Sequence, residues 1–275
     1  MSKIKFVTDS TAYIEKEFAD KNHIEIVPLK VDFLGKIESE GFPGEFEEFF
    51  ERLKESKDFP KTSQPAIGEF VKVFQEAVED GYEVIGIFLS SKLSGTYSTA
   101  CIAAEMVDPD RISVIDSETS VSNLKLLVER GMELADEGKS RKEIVEILNL
   151  EKKNMGINLT VDTLDYLRKG GRLSGAKAFI GSMLNMKPII ALIDGKLESI
   201  GRVRGKAKAV ETMISNIPEN VKHICICHIF SIDEAEGIKN RLEERFKGVP
   251  ISIDVIGPVI GAHLGPKALG ICFKW

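Results

Sequence analysis

Three short apolar runs in the first half of the chain each end in hydroxyl or carboxylate residues and then enter a segment with helical periodicity. Residues 4–7 lead into Thr8-Asp9-Ser10-Thr11, and residues 112–115 lead into Asp116-Ser117-Glu118-Thr119. Between them, residues 84–89 lead into Ser90-Ser91-Lys92-Leu93-Ser94-Gly95-Thr96. Strands alternating with helices imply a parallel sheet covered on both faces, because parallel strands can be joined only through crossovers. Ligands of such sheets sit beyond the carboxyl ends of the strands. Helix N-capping accounts for Ser117 and Ser10. It accounts less readily for the denser hydroxyl cluster around Ser94.

The second half changes character after a charged helical segment at 140–153. Residues 188–193 and 196–203 flank Asp194-Gly195, a two-residue hairpin signal. Helix (206–217), strand (223–229), helix (233–246) and strand (251–256) follow, and 268–273 is again strand-like. The expected fold is α/β: an N-terminal three-layer domain with a parallel sheet (1–155), then a C-terminal two-layer domain with a mixed sheet (156–275) and helices mainly on one face. A length of 275 residues suits two domains.

A net charge of −6 argues against a nucleic-acid partner, which usually meets a basic surface. It gives no help to adhesion on anionic membranes, so any membrane contact is expected to be transient. No apolar run approaches the ~20 residues of a membrane span. Met1-Ser2-Lys3-Ile4-Lys5 leads straight into a strand without a signal-peptide core, so the expected compartment is cytoplasmic. Cys225 and Cys227, with His228, suggest a metal only weakly, since no second ligand pair has zinc spacing. A buried strand with both thiols on one face is the expectation.

Five segments have residues suited to chemistry. Lys61-Thr62-Ser63-Gln64-Pro65 lies between two helices, where Thr62 and Ser63 either cap the second helix or meet a ligand. Ser94-Gly95-Thr96-Tyr97 joins a strand to a helix, where exposed amides, a glycine and adjacent hydroxyls make an anion site. Leu167-Arg168-Lys169-Gly170-Gly171-Arg172-Leu173-Ser174-Gly175 is a basic, glycine-rich turn. It fails as a P-loop, because Lys177 is one place late, no Ser or Thr follows it, and a helix precedes the turn. Gly201-Arg202-Val203-Arg204-Gly205-Lys206 is a second basic cluster, or simply a solvated strand end. Gly261-Ala262-His263-Leu264-Gly265-Pro266 places one histidine in a Gly/Pro-rich turn.

Together these segments resemble the DegV family of fatty-acid-binding proteins. The resemblance runs from Phe6-Val7-Thr8-Asp9-Ser10 through Val27-Pro28-Leu29, Thr62-Ser63-Gln64-Pro65, Gly68-Glu69-Phe70 and Leu89-Ser90-Ser91 to Ser94-Gly95-Thr96-Tyr97. It continues through Asp116-Ser117, Leu167–Ser174 and Lys187-Pro188-Ile189 to Gly261–Pro266. Two positions depart from the family pattern: Ala66 stands where a small hydroxyl residue is usual, and Lys267 where glycine is usual. The second bears on the loop beside His263, since glycine reaches backbone angles that lysine avoids.

The resemblance implies a lipid in a cleft between the two domains. Thr62 and Ser94 would hold the carboxylate, with Ser63, Gly95, Thr96 and His263 nearby. It also implies a partner, a separate fatty acid kinase that converts the carboxylate to an acyl phosphate for phospholipid metabolism. Arg172, Arg202 and Arg204 match positions near the mouth facing that kinase. The ligand would be a long-chain fatty acid such as palmitate, stearate or oleate, with no other cofactor, no metal and no catalytic residue. Phe179, Ile180, Met183 and Leu184 would line the tail's tunnel or pack the core. An alternative reading makes Ser94 a nucleophile and His263 its base in an acyl hydrolase, although no Gly-x-Ser-x-Gly elbow is present. A lipid-sensing regulatory protein is a third.

Overall fold

The computed structural model describes residues 3–174 and 186–275. The first half runs β1 (Ile4–Asp9), α1 (Lys16–Lys21), β2 (Glu25–Val27), β3 (Lys30–Phe33), β4 (Lys36–Ser39), α2 (Glu47–Glu55), β5 (Lys61–Ser63), α3 (Ile67–Glu79), β6 (Glu83–Phe88), α4 (Thr96–Val107), β7 (Ile112–Asp116), α5 (Val121–Asp136) and α6 (Arg141–Glu151). The second half runs β8 (Met155–Thr160), α7 (Asp165–Gly170), β9 (Leu173–Ser174), β10 (Met186–Ile193), β11 (Lys196–Arg204), α8 (Lys206–Ser215), β12 (His223–His228), α9 (Ile232–Arg245), β13 (Ile251–Val255), α10 (Pro258–Leu264) and β14 (Leu269–Lys274).

The three apolar runs become β1, β6 and β7, which with β2 form a parallel sheet in the order β2-β1-β6-β7. In β6, Val84, Ile85, Ile87 and Phe88 are all fully buried, as a strand covered on both faces requires. Phe70, Phe74, Ala100 and Ala103 of α3 and α4 pack with Val7, Val84 and Phe88 on one face. Leu124, Leu127, Ile144 and Leu148 of α5 and α6 pack with Ile85 and Ile87 on the other. The result is three layers.

The second half builds a seven-stranded mixed sheet in the order β13-β12-β14-β8-β10-β11-β9. Its strands alternate strictly between two environments. Ile224, Ile226, Leu269 and Ile271 face α8 and α9, packing on Ala209, Met213, Ala235 and Leu242. Cys225, Cys227, Cys272, Ile157 and Leu159 point the other way, into the core shared with the first half. The two thiols of β12 therefore lie on one face, as the alternation predicts.

Two features were not foreseen. Residues 61–63, expected to lie between helices, form β5 in a small antiparallel sheet of order β4-β3-β5. The Gly261–Pro266 segment, read as a turn, lies mostly within the short helix α10, which packs on β3, β5 and α7. The halves also interlock at the Asp194-Gly195 hairpin, where the Ser90 hydroxyl donates to the Gly195 carbonyl at 2.8 Å.

Lys267, in the connection from α10 to β14, has φ +60°. An L-residue there is strained by about 1–2 kcal/mol, whereas the greater freedom of unfolded glycine offsets about 0.5–1 kcal/mol. Lys267→Gly is therefore expected to stabilise the fold by up to about 1.5 kcal/mol in equilibrium denaturation. A loss of stability would mean that the lysine side chain holds the turn by a contact outweighing its strain.

Candidate functional site

A cavity of about 260 Å³ lies where the two halves meet. Leu29, Leu89, Leu93 and Val121 line it from the first half, and Ile157, Leu159, Leu192, Leu197 and Val259 from the second. The walls are mostly aliphatic, so the cavity suits an apolar guest.

Its polar lining is gathered together. Thr62 of β5 and His263 of α10 share a hydrogen bond, Oγ1 to Nε2, of 2.7 Å. Gln64 lies against Gly95, where a Cβ would come within 1.9 Å of its side-chain oxygen. Ser94 sits one residue away, at the start of α4. Arg172 donates from Nε to the carbonyl of neighbouring Leu93 at 3.3 Å, and its charge reaches His263. Thr62, Ser63, Gln64, Ser94, Gly95, Arg172 and His263 all line the cavity.

Burial, and then the positive charge of Arg172, push the His263 pKa down to about 4, so the imidazole is neutral near pH 7. Its buried Nδ1 has no hydrogen-bond partner among the described residues. That nitrogen rests over Gly170, where a Cβ would approach it within 2.2 Å, so only glycine leaves room for the ring. With the proton on Nε2, His263 donates to Thr62, and the Thr62 hydroxyl proton is free for an acceptor in the cavity. Ser94 is oriented in a similar way. Thr96, fully buried, donates its N–H to Ser94 Oγ at 3.3 Å, and the two hydroxyls lie 2.9 Å apart. A Thr96 hydroxyl that donates to Ser94 leaves the Ser94 proton for the cavity. With both protons so placed, two hydroxyls beside the first turn of α4 could donate to an anion.

Not every expected residue is here. Thr96 stands behind Ser94 and does not itself line the cavity. Arg202 and Arg204 are exposed on β11, beyond Gly201 and several residues along the strand from Leu197 at the cavity. Thr62 and Ser63 do not cap α3; its first N–H partner is Glu69, which accepts from Ala66 N at 2.6 Å. The hydrolase alternative needs Ser94 bonded to His263, whereas the hydrogen bond of His263 goes to Thr62. Phe179, Ile180, Met183 and Leu184 lie outside the described residues. Among the described residues no His, Cys, Asp or Glu cluster could hold a metal, and no helix is long and apolar enough to cross a membrane.

Sequence reasoning missed a buried support behind the site. Glu40 accepts from the Ser10 hydroxyl at 2.6 Å and from Val259 N, in the first turn of α10, at 2.7 Å. Ser10 in turn accepts from Leu29 N at 3.1 Å. Neighbouring Asp9 accepts from Leu89 N at 2.8 Å and from Thr11 N and its hydroxyl at 2.9 and 2.6 Å. Burial raises Glu40 to about 7 and Asp9 to about 6.

Comparison with known proteins follows this architecture closely. The family model described as "Uncharacterised protein, DegV family" matches residues 3–274. A DegV domain-containing protein of Staphylococcus aureus (strain N315) is 37% identical over 276 residues, covering 98% of each chain. The crystal structure of DegV, a fatty acid binding protein from Bacillus subtilis, superposes with a TM-score of 0.89 at 35% identity over 100% of both chains. That of a stearic acid-binding protein from Eubacterium ventriosum also gives 0.89, at 28% identity over 100% of this chain and 98% of the other.

Proposed function

Because the chain belongs to the DegV family, we propose that it binds a long-chain fatty acid in the cavity between its halves and presents the carboxylate to a separate fatty acid kinase. The protein is a carrier in this reading, without a catalytic group of its own. The carboxylate is held by the hydroxyls of Thr62 and Ser94, and the kinase transfers the γ-phosphoryl of ATP to it, giving an acyl phosphate and ADP. The observation that carries the reading is the pairing of one aliphatic cavity with one cluster of hydroxyl donors. The fatty acid binding described for the Bacillus subtilis and Eubacterium ventriosum proteins supports the same ligand class.

The energetics agree. A sixteen-carbon chain buries apolar groups with a gross gain on the order of 12 kcal/mol, so affinity resides in the tail. The carboxylate loses several kcal/mol of hydration. Hydrogen bonds to a charge return about 1.5–3 kcal/mol each, so two hydroxyls and a helix N-terminus offset the loss. Arg172 is exposed, with donors directed at the carbonyls of Leu93 and Gly170. Its role is at the mouth, where a guanidinium can meet acidic groups of a kinase or the phosphate as it forms.

Two measurements test this. Solvent extraction and mass spectrometry of the purified protein should find a stoichiometric long-chain fatty acid, and delipidation should lower Tm, because the ligand binds only the folded state. Protein that stays apo after incubation with palmitate or oleate would count decisively against the reading. Arg172→Ala should keep lipid affinity near wild type while kinase-dependent acyl-phosphate formation falls by about tenfold, roughly 1.4 kcal/mol. Equal losses in both assays would make Arg172 a lipid ligand instead.

A further inference from the structure

β14 is a central strand, paired with β12 on one side and β8 on the other. Buried central strands are poor places for glycine, which adds no packing and has the most conformational freedom to lose. Yet Gly270 sits there, opposite Cys227 and Leu159. Its backbone does not require it, since its φ lies outside the left-handed region. Crowding does not require it either: a Cβ at 270 would meet nothing nearer than 3.8 Å, namely the Asn158 carbonyl and the Cβ atoms of Cys227 and Leu159. Its strand neighbours Leu269 and Ile271 pack beneath α8 and α9, so position 270, like Cys272, faces the other way and lines the cavity. What glycine supplies at this position is empty space in the cavity wall.

The hydrogen bonds around Gly270 involve other side chains than those of the polar cluster. The hydrogen bonds at the polar end join Thr62 to His263 and Ser94 to Thr96. Those beside Gly270 join Cys227 to Cys272 and to Ser122 in α5. We propose that Gly270 sets the acyl-chain capacity of the cavity, so that the preferred length depends on the missing side chain at this position. The proposal rests on the fatty-acid reading above. A side chain here displaces methylenes from the tail's end of the cavity and leaves the carboxylate seat in place.

The test compares laurate and stearate binding to wild type, Gly270→Ala and Gly270→Leu by calorimetric titration of delipidated protein. Each methylene excluded from the cavity weakens binding about fourfold. Gly270→Leu is expected to lower the stearate-to-laurate affinity ratio by about tenfold or more, with laurate affinity close to wild type. Gly270→Ala, whose methyl group fits without a clash, should lower the ratio by about fourfold and keeps the test decisive if the leucine variant fails to fold. An unchanged ratio in the alanine variant, or equal losses for the two acids, overturns the role of Gly270 while leaving the carrier reading intact. A wild-type protein that binds neither acid overturns the carrier reading, and this proposal with it.

Discussion

Thr62→Val is expected to weaken palmitate binding by about ten- to a hundredfold, the range for one hydrogen bond to a charge. Valine keeps the shape and the strand preference of threonine, so β5 should persist. What disappears is the hydroxyl that shares a hydrogen bond with His263 Nε2 at 2.7 Å and, with the ring proton on Nε2, keeps its own proton for a ligand. His263 Nε2 also loses its partner in a cluster whose Nδ1 is already unpaired among the described residues. Ser94→Ala should show a similar loss. The double variant should lose less than the sum, because in the proposed seat both hydroxyls would serve one head group. Titration calorimetry with delipidated protein, alongside apo melting temperatures, separates binding from folding. Wild-type affinity in both single variants would place the head group elsewhere.

Glu40→Gln is expected to change how stability depends on pH. Glu40 is held at about 7 in the folded chain, against its usual 4.5, because burial disfavours the charge more than its hydrogen bonds to Ser10 and Val259 favour it. The folded state therefore binds more protons than the unfolded state between about pH 4.5 and 7. Its contribution to stability is fully present below 4.5 and is lost as pH rises through 7, a change on the order of 3 kcal/mol. Glutamine at 40 removes this part of the slope. The groups facing Glu40 are Ser10, Tyr13 (hydroxyl at 3.5 Å), Val259 N and the nearby Asp9, which is itself raised to about 6. Asp9 keeps a smaller dependence of the same sign in the variant. Denaturation of both proteins at pH 5, 6, 7 and 8 gives the difference directly. Parallel curves would show that Glu40 has the same proton affinity folded and unfolded.

The parallel sheet was legible because β1, β6 and β7 are apolar throughout and each ends in turn-forming polar residues. The mixed sheet was legible through Asp194-Gly195 and the strict alternation of β12. β5 was not, since Lys61-Thr62-Ser63 is three polar residues whose strand character comes only from pairing with β3. α10 was hidden because Gly261 and Gly265 mimic a turn, and because a helix of seven residues has too few turns to show a period. Glu40 follows Glu38-Ser39 in an ordinary-looking polar stretch, and nothing local marks the one acid that tertiary packing buries. The positions of Thr62, Ser94 and His263 came from family motifs. That His263 belongs to Thr62 and not to Ser94 is a fact of three dimensions.

The contacts that finish the site span unusual lengths of chain. Thr62 waits for a residue 201 positions later, and Glu40 for one 219 positions later. Such closures carry a loop entropy that local contacts do not, and topologies rich in them fold slowly. During synthesis the parallel sheet can assemble from its own crossovers while β3 and β5 still lack α10. The Thr62–His263 pair is therefore among the last contacts to form, and the proposed carboxylate seat stays incomplete until α10 has been made.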